Sequence, residues 1–343
     1  MEYVKVPAKQ MQDFCVECLL KFGVPQEDAE NIADHLVLAN LRGVDSHGII
    51  RIPYLAEGIR MGLVKPKPEV RVVSESTATA LLDGGGGLGI PIATKATDLA
   101  IDKTKSAGIS IVGVRNLGHV GMLAYYTRRV VTHGFIGFTC VNAPAVMAPW
   151  GGKERTFGTN PLSIGFPAGD GGSIILDMAT SVMAHFKIKV AALKGERIPE
   201  GVALNKQGRP ATDANEAFDG VLLPFGGYKG YGLVLAIEAL INALLGAPQS
   251  KDIPLHPSTQ GGFLIVVVDI NRFRDYDDYQ KDIMHLVSVV KSGSLADGFK
   301  EILLPGDIEQ RETEKRLRDG IPIAVATRDE LLKLAQELNI KPL

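Results

Sequence analysis

The stretch LLDGGGGLGI, residues 81–90, decides which class of α/β fold this sequence adopts. It contains the pattern G-x-G-x-x-G at Gly84, Gly86 and Gly89, which is the fingerprint of a Rossmann dinucleotide-binding turn. The flanking sequence suits that role. The preceding ATALLD has the composition of a strand, and ATKATDLAIDKTKSAG after it predicts an amphipathic helix that stops at a glycine.

The next strand weakens the Rossmann interpretation. A Rossmann unit usually ends its second strand with an Asp or Glu, whose carboxylate binds the ribose hydroxyls. Here the strand ISIVGV is followed by Arg115 and Asn116, and an arginine at this point would suit NADP. Two interpretations are therefore left open by the residues: a phosphate-binding turn, or a glycine-rich connection between a strand and a helix.

The composition is that of an ordinary globular protein. The chain has 343 residues, 45% hydrophobic and 22% charged, which is enough for one large core or two to three smaller ones. Its formal charge of −2, without a long basic run, argues against a nucleic-acid partner. MEYVKVPAKQMQDF lacks a signal pattern, and apolar runs such as FLIVVVDI are too short to span a bilayer. We expect a cytoplasmic protein without a membrane partner.

The order of helix and strand patterns predicts a helical segment followed by an α/β part. AKQMQDFCVECLLKF and PQEDAENIADHLVLANLR predict two helices, and Ser46 is placed to cap a third, HGIIRIPYLAEGIRMG. That helix would put His47 and Arg51 on one face. From about Glu69 onward short β-rich runs alternate with helices, and the chain closes with the helix RDELLKLAQELN.

The C-x-x-C of Cys15 and Cys18 has a structural explanation. The pair lies inside a helical pattern, without the second cysteine pair of a zinc site and without the preceding strand of a thioredoxin-type redox motif. We interpret both as buried helical cysteines.

Two of the seven histidines are candidates for proton transfer. His47, in VDSHGIIR, and His119, in VRNLGHVGM, each adjoin glycine at the boundary of an element, where side chains tend to face a cleft. The structural alternative is a locally bonded histidine at a helix N-terminus for His47 and a loop histidine for His119. Arg51 could grip a substrate carboxylate with its planar guanidinium, although a solvated surface arginine is the commoner case.

Two further residues could bind a cofactor. Asp177 follows an apolar strand, where α/β ligand sites open, but it could equally be a helix N-cap. Lys229 lies between glycines before a helix and could meet a phosphate, or it could be an exposed lysine in a flexible turn. A metal site made of His47, His119 and Asp177 has no spacing that enforces it, so we expect no metal.

Seven motifs, in order and nearly end to end, resemble the type 2 malate/L-lactate dehydrogenase family: LRGVDSHGIIR, RNLGHVGM, APWGGKERTFGTNPLSIGFP, LDMATS, IPEGVALNKQGRPATD, LLPFGGYKGYGL and ILLPGDIEQR. That family includes malate, L-sulfolactate and ureidoglycolate dehydrogenases. The resemblance implies an NAD(P)-dependent oxidoreductase for a small 2-hydroxy or 2-oxo acid, most simply malate. It also implies a mixed-sheet, non-Rossmann dinucleotide-binding domain, so the glycine fingerprint is coincidental and leaves the candidate site.

The resemblance implies a role for each matching residue. His119 is the proton acceptor, with His47 and Arg51 on the substrate side. The implied cofactor-binding residues are Ala143, Asp177, Met178, Ala179, Lys229, Gly306, Asp307 and Ile308. Ala143 is a departure, because relatives often carry Ser or Thr there, and AHFKIKVA departs from the usual glycine-containing run after LDMATS.

The resemblance also implies an architecture. A helical domain of residues 1–68 and 309–343 is built from both termini, and the α/β part of residues 69–308 is inserted into it. The family further implies a homodimer. A dicarboxylate or sulfonate substrate needs a second cation besides Arg51, for which Lys153 and Arg155 are the candidates. The choice between NAD and NADP is not determined by any residue that can be placed from sequence.

Overall fold

The structure is a computed structural model that describes residues 2–169 and 171–343. The described strands are β1 (Tyr3–Val6), β2 (Arg71–Glu75), β3 (Thr79–Gly87), β4 (Ile109–Leu117), β5 (Ile136–Val141), β6 (Leu162–Pro167), β7 (Ser173–Met178), β8 (Ala203–Leu204), β9 (Pro210–Ala211), β10 (Val221–Leu222), β11 (Gly262–Val268) and β12 (Ile321–Ala324). The α-helices are α1 (Ala8–Lys21), α2 (Gln26–Leu41), α3 (Arg51–Arg60), α4 (Gly89–Ala107), α5 (Ala124–Val131), α6 (His185–Lys194), α7 (Ala214–Asp219), α8 (Tyr228–Glu238), α9 (Tyr276–Lys291), α10 (Asp307–Asp319) and α11 (Val325–Leu338).

One mixed sheet of seven strands forms the centre of the α/β part, in the order β2-β3-β4-β11-β5-β6-β7. Within the described residues only β3 and β4 of this sheet are parallel neighbours, with α4 as the crossover, and the other neighbouring pairs are antiparallel. A Rossmann domain requires a mostly parallel sheet. The predicted mixed-sheet, non-Rossmann α/β fold class is therefore confirmed, and the Rossmann alternative is wrong.

Both faces of the sheet are covered by helices, which explains the continuous apolar run of β11. Phe263, Ile265 and Val267 of β11 pack into the core formed with α4 and α5. Leu264 points to the opposite face and packs against α8 and the π-helical segment Ala239–Leu244. Because successive side chains of a strand alternate between faces, a strand buried on both sides has no polar positions to show a period of two.

The glycine-rich stretch of residues 81–90 contains the end of a strand and the start of a helix. β3 runs to Gly87 and α4 begins at Gly89, so no phosphate-binding turn separates them. A side chain at Gly89 would place its Cβ 1.9 Å from the carbonyl oxygen of Gly118. The glycines therefore permit a close approach between two backbone segments, one of which leads to His119.

Elements from the two ends of the chain pack against each other. β1 pairs antiparallel with β12, and side chains of α1, α2, α3 and α11 share one apolar core. The sequence predicted this region as helical throughout, and the two short strands were missed because four residues are too few to show alternation. The predicted boundaries at residues 68 and 309 stay a prediction, and α10 begins at Asp307.

The third predicted helix begins later than expected. Residues 45–47 form a single 3₁₀ turn, and α3 starts at Arg51 without a side-chain cap. The prediction that Ser46 caps a helix containing His47 is wrong, because the Ser46 hydroxyl contacts the His47 ring instead. His47 and Arg51 are nonetheless close together, because the Arg51 Nε donates to the carbonyl of Ser46, the residue before His47.

The motif IPEGVALNKQGRPATD, residues 198–213, contains two short strands. It contributes β8 and β9 to a small sheet of order β10-β8-β9, which packs with α6 and α7 around its own apolar core.

The three cysteines are buried and free, as interpreted for the C-x-x-C. Burial raises the pKa of the Cys18 thiol to about 12, which leaves it un-ionised and unreactive. Among the described residues, no helix combines the length and the apolar character required to cross a bilayer.

Candidate active site

One large cavity, of about 920 Å³, contains most of the residues implicated by the sequence. It lies between the turn that precedes α3 and the segments that follow β4, β5 and β7. This volume is near the upper end for small-molecule sites, so a dinucleotide and a small acid can share it. The predicted site residues that line the cavity are His47, Arg51, His119, Ala143, Asp177, Met178, Ala179, Gly306 and Ile308.

The turn that carries His47 is fixed by the ends of two helices. Asn40, at the end of α2, accepts the Ile49 N–H at 2.7 Å with its side-chain oxygen. Gly48 packs so closely on that amide that a Cβ would lie 2.1 Å from the same oxygen. Arg316 of α10 donates to the Asn40 carbonyl at 2.6 Å. A C-terminal helix therefore helps to position a residue near the N-terminus.

Arg51 is held against the same turn. Its Nε donates to the Ser46 carbonyl at 2.6 Å, and one terminal nitrogen lies 3.4 Å from the Pro257 carbonyl. The guanidinium is thereby oriented toward the cavity with donors left for a ligand. Burial lowers the pKa of Arg51 to about 10, so the group remains protonated at neutral pH.

His119 lies in the segment that follows β4, and its ring is oriented by backbone groups. The His119 N–H donates to the Ser258 carbonyl at 2.9 Å, and the Gly121 N–H donates to the ring Nδ1 at 3.1 Å. Because Nδ1 accepts this bond, the neutral ring carries its proton on Nε2. His35 of α2 fixes the same segment from behind, since its Nε2 accepts the Met122 N–H at 2.8 Å.

The two candidate histidines are stacked beside each other. Their ring centroids are 5.5 Å apart, with 21° between the planes. Burial, and then the charge of Arg51, lower the pKa of His47 to about 3 and hold the pKa of His119 well below its usual value. Both rings are therefore neutral at physiological pH, which is the form that can accept a proton.

Asp177 lies on another wall of the cavity, at the end of β7. Its carboxylate accepts the Ala124 N–H at 2.7 Å, at the start of α5. The Ile175 N–H donates to the Pro305 carbonyl at 3.1 Å, which brings Gly306 and the residues after it onto this strand. Enclosure within the cavity raises the pKa of Asp177 to about 6.

A buried polar network supports the wall at Ala143. The preceding residue, Asn142, accepts the Gly262 N–H at 3.0 Å and donates to the carboxylate of buried Glu238 at 3.3 Å. Glu238 also accepts from Asn160 at 2.8 Å. Because each buried polar group here has a partner, the network fixes the backbone of this wall.

Four residues singled out by the sequence lie away from the cavity lining. Lys229 is exposed at the start of α8, and the Asp307 carboxylate pairs with Lys291 at 2.8 Å. Arg155 donates to the Phe218 and Gly220 carbonyls, and the exposed Lys153 is not a lining residue either. The implied cofactor roles of Lys229 and Asp307 stay predictions.

Three residues of the site were not predicted from the sequence. Arg42 and His256 line the cavity, and His35 holds the segment that carries His119. His35 had a readable signal, because it shares the buried face of α2 with apolar residues and a buried histidine needs a hydrogen-bond partner. Arg42 had none, since an arginine at a helix C-terminus is common for reasons of the helix dipole. Within the described residues, no group of three or more His, Cys, Asp or Glu side chains could hold a metal ion.

Comparisons with known proteins agree along nearly the whole chain. The sequence model of the malate/L-lactate dehydrogenase family matches residues 6–332. The L-sulfolactate dehydrogenase of Methanocaldococcus jannaschii is 41% identical over 330 residues, covering 95% of this chain and 94% of the relative. The malate dehydrogenase of Pyrococcus horikoshii is 38% identical, covering 99% and 97%.

A third relative and a solved structure extend this match. The ureidoglycolate dehydrogenase (NAD(+)) of Escherichia coli K12 is 31% identical, with 93% of each chain covered. The solved sulfolactate dehydrogenase of M. jannaschii superposes with a TM-score of 0.92 at 39% identity, covering 98% of both chains. The fold and these matches define an oxidoreductase of the hydroxy acid dehydrogenase class. The chain belongs to the malate/L-lactate dehydrogenase family.

Proposed function

We propose that this protein is an NAD(P)-dependent dehydrogenase that interconverts a small 2-hydroxy acid and its 2-oxo acid, with malate and oxaloacetate as the substrate pair. The observation that carries the proposal is that His47, His119 and Arg51 line one cavity. A proton acceptor and a carboxylate-binding cation are the two groups that oxidation of a 2-hydroxy acid requires beside the cofactor.

The residues present fit a nicotinamide dinucleotide. The cavity is large enough, and the wall formed by Asp177, Met178, Ala179, Gly306 and Ile308 offers backbone groups and one carboxylate to sugar hydroxyls. When bound, the nicotinamide ring supplies the hydride acceptor for the alcohol and the hydride donor for the ketone. These residues leave both NAD and NADP as candidates.

Arg51 binds the acid's carboxylate in this proposal. Its Nε is already used by the Ser46 carbonyl, so the carboxylate is held by the terminal nitrogens of a guanidinium that cannot swing away. Charge-assisted hydrogen bonds of this kind are about twice as strong as neutral ones. The 2-hydroxyl of the acid is thereby directed toward the histidine pair.

His119 accepts the hydroxyl proton, and His47 stacks beside it. To accept a proton at Nε2, His119 must carry its existing proton on Nδ1 and give up the Gly121 N–H contact. That loss costs about 1 kcal/mol, which is small beside the 8 to 23 kcal/mol by which enzymes typically lower a barrier. His47 shares the role if its Nδ1–H is donated to Ser46 Oγ, 3.0 Å away, because its Nε2 lone pair is then free.

The choice of malate depends on a second acidic group in the substrate. Lys153 and Arg155 do not line the cavity, but His256 does, and it adjoins Pro257, whose carbonyl faces Arg51. The His256 Nδ1 accepts the Ser258 N–H at 3.1 Å, so the ring proton is on Nε2, 3.4 Å from the Glu57 carboxylate. In this proposal a second carboxylate or a sulfonate of the substrate takes that Nε2–H in place of Glu57. L-Sulfolactate, L-lactate and ureidoglycolate are the alternative substrates.

The functional unit in this proposal is a homodimer. One side of α9 exposes the apolar residues Leu286, Val289 and Val290. Phe299, in the segment that follows α9, is 69% exposed. A large apolar surface left exposed on a folded domain marks an interface. A second copy of the chain supplies the matching surface through two-fold symmetry, which is the commonest arrangement of identical subunits.

Reduction of three 2-oxo acids, namely oxaloacetate, sulfopyruvate and pyruvate, followed by the loss of absorbance of reduced nicotinamide, tests the proposal. We expect oxaloacetate and sulfopyruvate to react with a kcat/KM at least tenfold above that of pyruvate, because only they have a second acidic group. Equal rates with pyruvate would remove the second-anion argument. Dinucleotide binding without reduction of any 2-oxo acid would indicate a non-catalytic protein.

Replacement of each histidine assigns the proton role. His119→Ala should lower kcat by roughly 10²- to 10⁴-fold, the usual contribution of a general acid or base, with little change in dinucleotide affinity. His47→Ala should lower kcat less. If His47→Ala proves the more damaging and His119→Ala retains most activity, the two roles must be exchanged.

A further inference from the structure

The guanidinium of Arg42 is buried and has no hydrogen-bond partner among the described residues. The Arg42 side chain is 4% exposed, and its Nε is buried with no acceptor in the described part of the chain. No ion pair or side-chain hydrogen bond to Arg42 is formed by the described residues. A guanidinium taken out of water without partners is costly, so this arrangement is explained only if an anion completes it.

Arg42 lines the same cavity as Arg51, but the two come from different elements: Arg42 follows the last turn of α2, and Arg51 begins α3. Arg51 is oriented by the carbonyls of Ser46 and Pro257, whereas no described group accepts a hydrogen bond from the Arg42 Nε. The cavity lining therefore contains two cationic positions. One is at the stacked histidines, and the other is beside the wall formed by the ends of β7 and the residues around Gly306.

We propose that Arg42 binds a phosphate of the dinucleotide's pyrophosphate. The inference rests on the proposed function and adds to it a residue that anchors the cofactor. A pyrophosphate has two negative charges and several acceptor oxygens, and a guanidinium presents the planar fork that matches a phosphate. The small acid is already provided with Arg51, so the cofactor is the ligand that has a further anion to place here.

The neighbouring carboxylates fit the same assignment. Asp177 and Glu309 line the cavity and their charges act on Arg42, but neither forms an ion pair with it in the described structure. Asp177 is directed to the Ala124 N–H at 2.7 Å instead. These acids offset the charge of the guanidinium while leaving its donors free, and carboxylates are suitable partners for ribose hydroxyls.

Binding of reduced cofactors to Arg42→Gln tests the proposal without relying on turnover. We expect the Kd of NADH, measured by fluorescence of the reduced nicotinamide, to rise roughly 10- to 100-fold through loss of a charge-assisted contact. Reduced nicotinamide riboside, which has no phosphate, should bind equally to both proteins. Arg42→Lys should fall between them, because it keeps the charge but loses the fork.

Thermal unfolding separates this role from a structural one. If Arg42 awaits an anion, Arg42→Gln removes an unpaired buried charge, and the unliganded protein should melt at the same temperature or higher. The added stability on saturation with NADH should shrink relative to wild type. Arg209→Gln, at an exposed arginine of the small sheet, is the control and should change neither quantity.

Three results would overturn the inference: an unchanged NADH Kd in Arg42→Gln, an equal loss for the riboside, or weakened binding of the 2-oxo acid with intact NADH affinity. The last would place Arg42 at the acid. Failure of the proposed function looks different, because wild-type protein would then bind neither NADH nor NADPH, or would bind one of them without reducing any 2-oxo acid.

Discussion

Single residues determine how the cavity binds a small anion, and Arg51 is the clearest case. Its sequence context allowed either a surface arginine or a carboxylate clamp, and the structure places it in the cavity, oriented by the Ser46 carbonyl. The geometry depends on a planar group with donors on both sides. A lysine keeps the charge but provides only a point contact.

Arg51→Lys should therefore raise the KM for the 2-hydroxy acid about 10- to 100-fold, corresponding to the 1.5 to 3 kcal/mol of a hydrogen bond to a charged group. The Kd of the dinucleotide should stay as in wild type. Arg60→Lys, on the exposed end of the same helix, is the matched control for steady-state kinetics. A parallel loss of cofactor affinity in Arg51→Lys would contradict the assignment.

The buried histidine His35 makes the free energy of unfolding depend on pH. Its ring is fully buried, and burial lowers its pKa to about 3, whereas the unfolded chain titrates near 6.5. Between these values the unfolded state binds more protons, so stability falls as the pH drops below about 6.5, by roughly 1.4 kcal/mol per pH unit.

We predict that His35→Gln reduces this acid sensitivity. Glutamine can still accept the Met122 N–H but takes up no proton. Between pH 7 and pH 5, urea unfolding should show that the stability of the variant falls less than that of wild type, by roughly 2 kcal/mol. Identical pH dependence in the two proteins would mean that His35 does not titrate on unfolding.

At the scale of elements, the connection between β3 and α4 shows why a motif can mislead. The pattern of Gly84, Gly86 and Gly89 matches a phosphate-binding turn in spacing and in flanking strand and helix. In the structure Gly89 instead permits contact with the backbone of Gly118, just before His119. Spacing describes local conformation, whereas the partner of each glycine is set by an element distant in sequence.

Gly89→Ala should displace the segment that carries His119. A Cβ there meets backbone, which cannot rotate away, so we expect about 1 to 3 kcal/mol of lost stability together with a marked fall in kcat. Gly86→Ala is the control. Its φ of +74° costs about 1 to 2 kcal/mol of strain, but the nearest described atom is 3.6 Å from the added Cβ.

The two variants should differ in activity and agree in cofactor affinity. Gly86→Ala should keep a wild-type kcat and a wild-type Kd for NADH. If the glycines of residues 84–89 instead bound the pyrophosphate as in a Rossmann fold, Gly86→Ala would lose the dinucleotide. Fluorescence titration of both proteins therefore decides between a phosphate-binding turn and a close backbone contact.

On the scale of the whole molecule, α9 and the following residues 292–303 form an arm that packs little against its own chain, since none of its residues is buried. The arm leads directly into Leu304 and Gly306, which line the cavity. An amphipathic helix left in this state needs a covering surface, and the proposed second copy provides it.

Val289→Asp should convert the dimer to a monomer. Val289 is 54% exposed in the single chain, so a charge there does not disturb the monomer's own core. It would, however, bury an unpaired carboxylate in a dimer. Ser288→Asp, one residue earlier and also exposed, is the control. Light scattering after gel filtration should give half the wild-type mass for the first variant, and an unchanged dimer would locate the interface elsewhere.

The sequence alone determined the local character of most elements and the chemistry that the chain can offer. Periodicity and capping located the long helices and the main strands, and motifs such as LRGVDSHGIIR marked His47, Arg51 and His119, because these features depend on neighbouring residues. It missed β1 and β12, whose pairing joins the two ends of the chain.

Only the tertiary structure decided which of these groups meet. Arg316 fixes the turn of His47, Ser258 and His35 fix the segment of His119, and Arg42 is buried beside the cavity. Such contacts join residues far apart along the chain, and their energies depend on burial and on distance in space. A linear pattern contains neither quantity, so the arrangement of the site follows from packing.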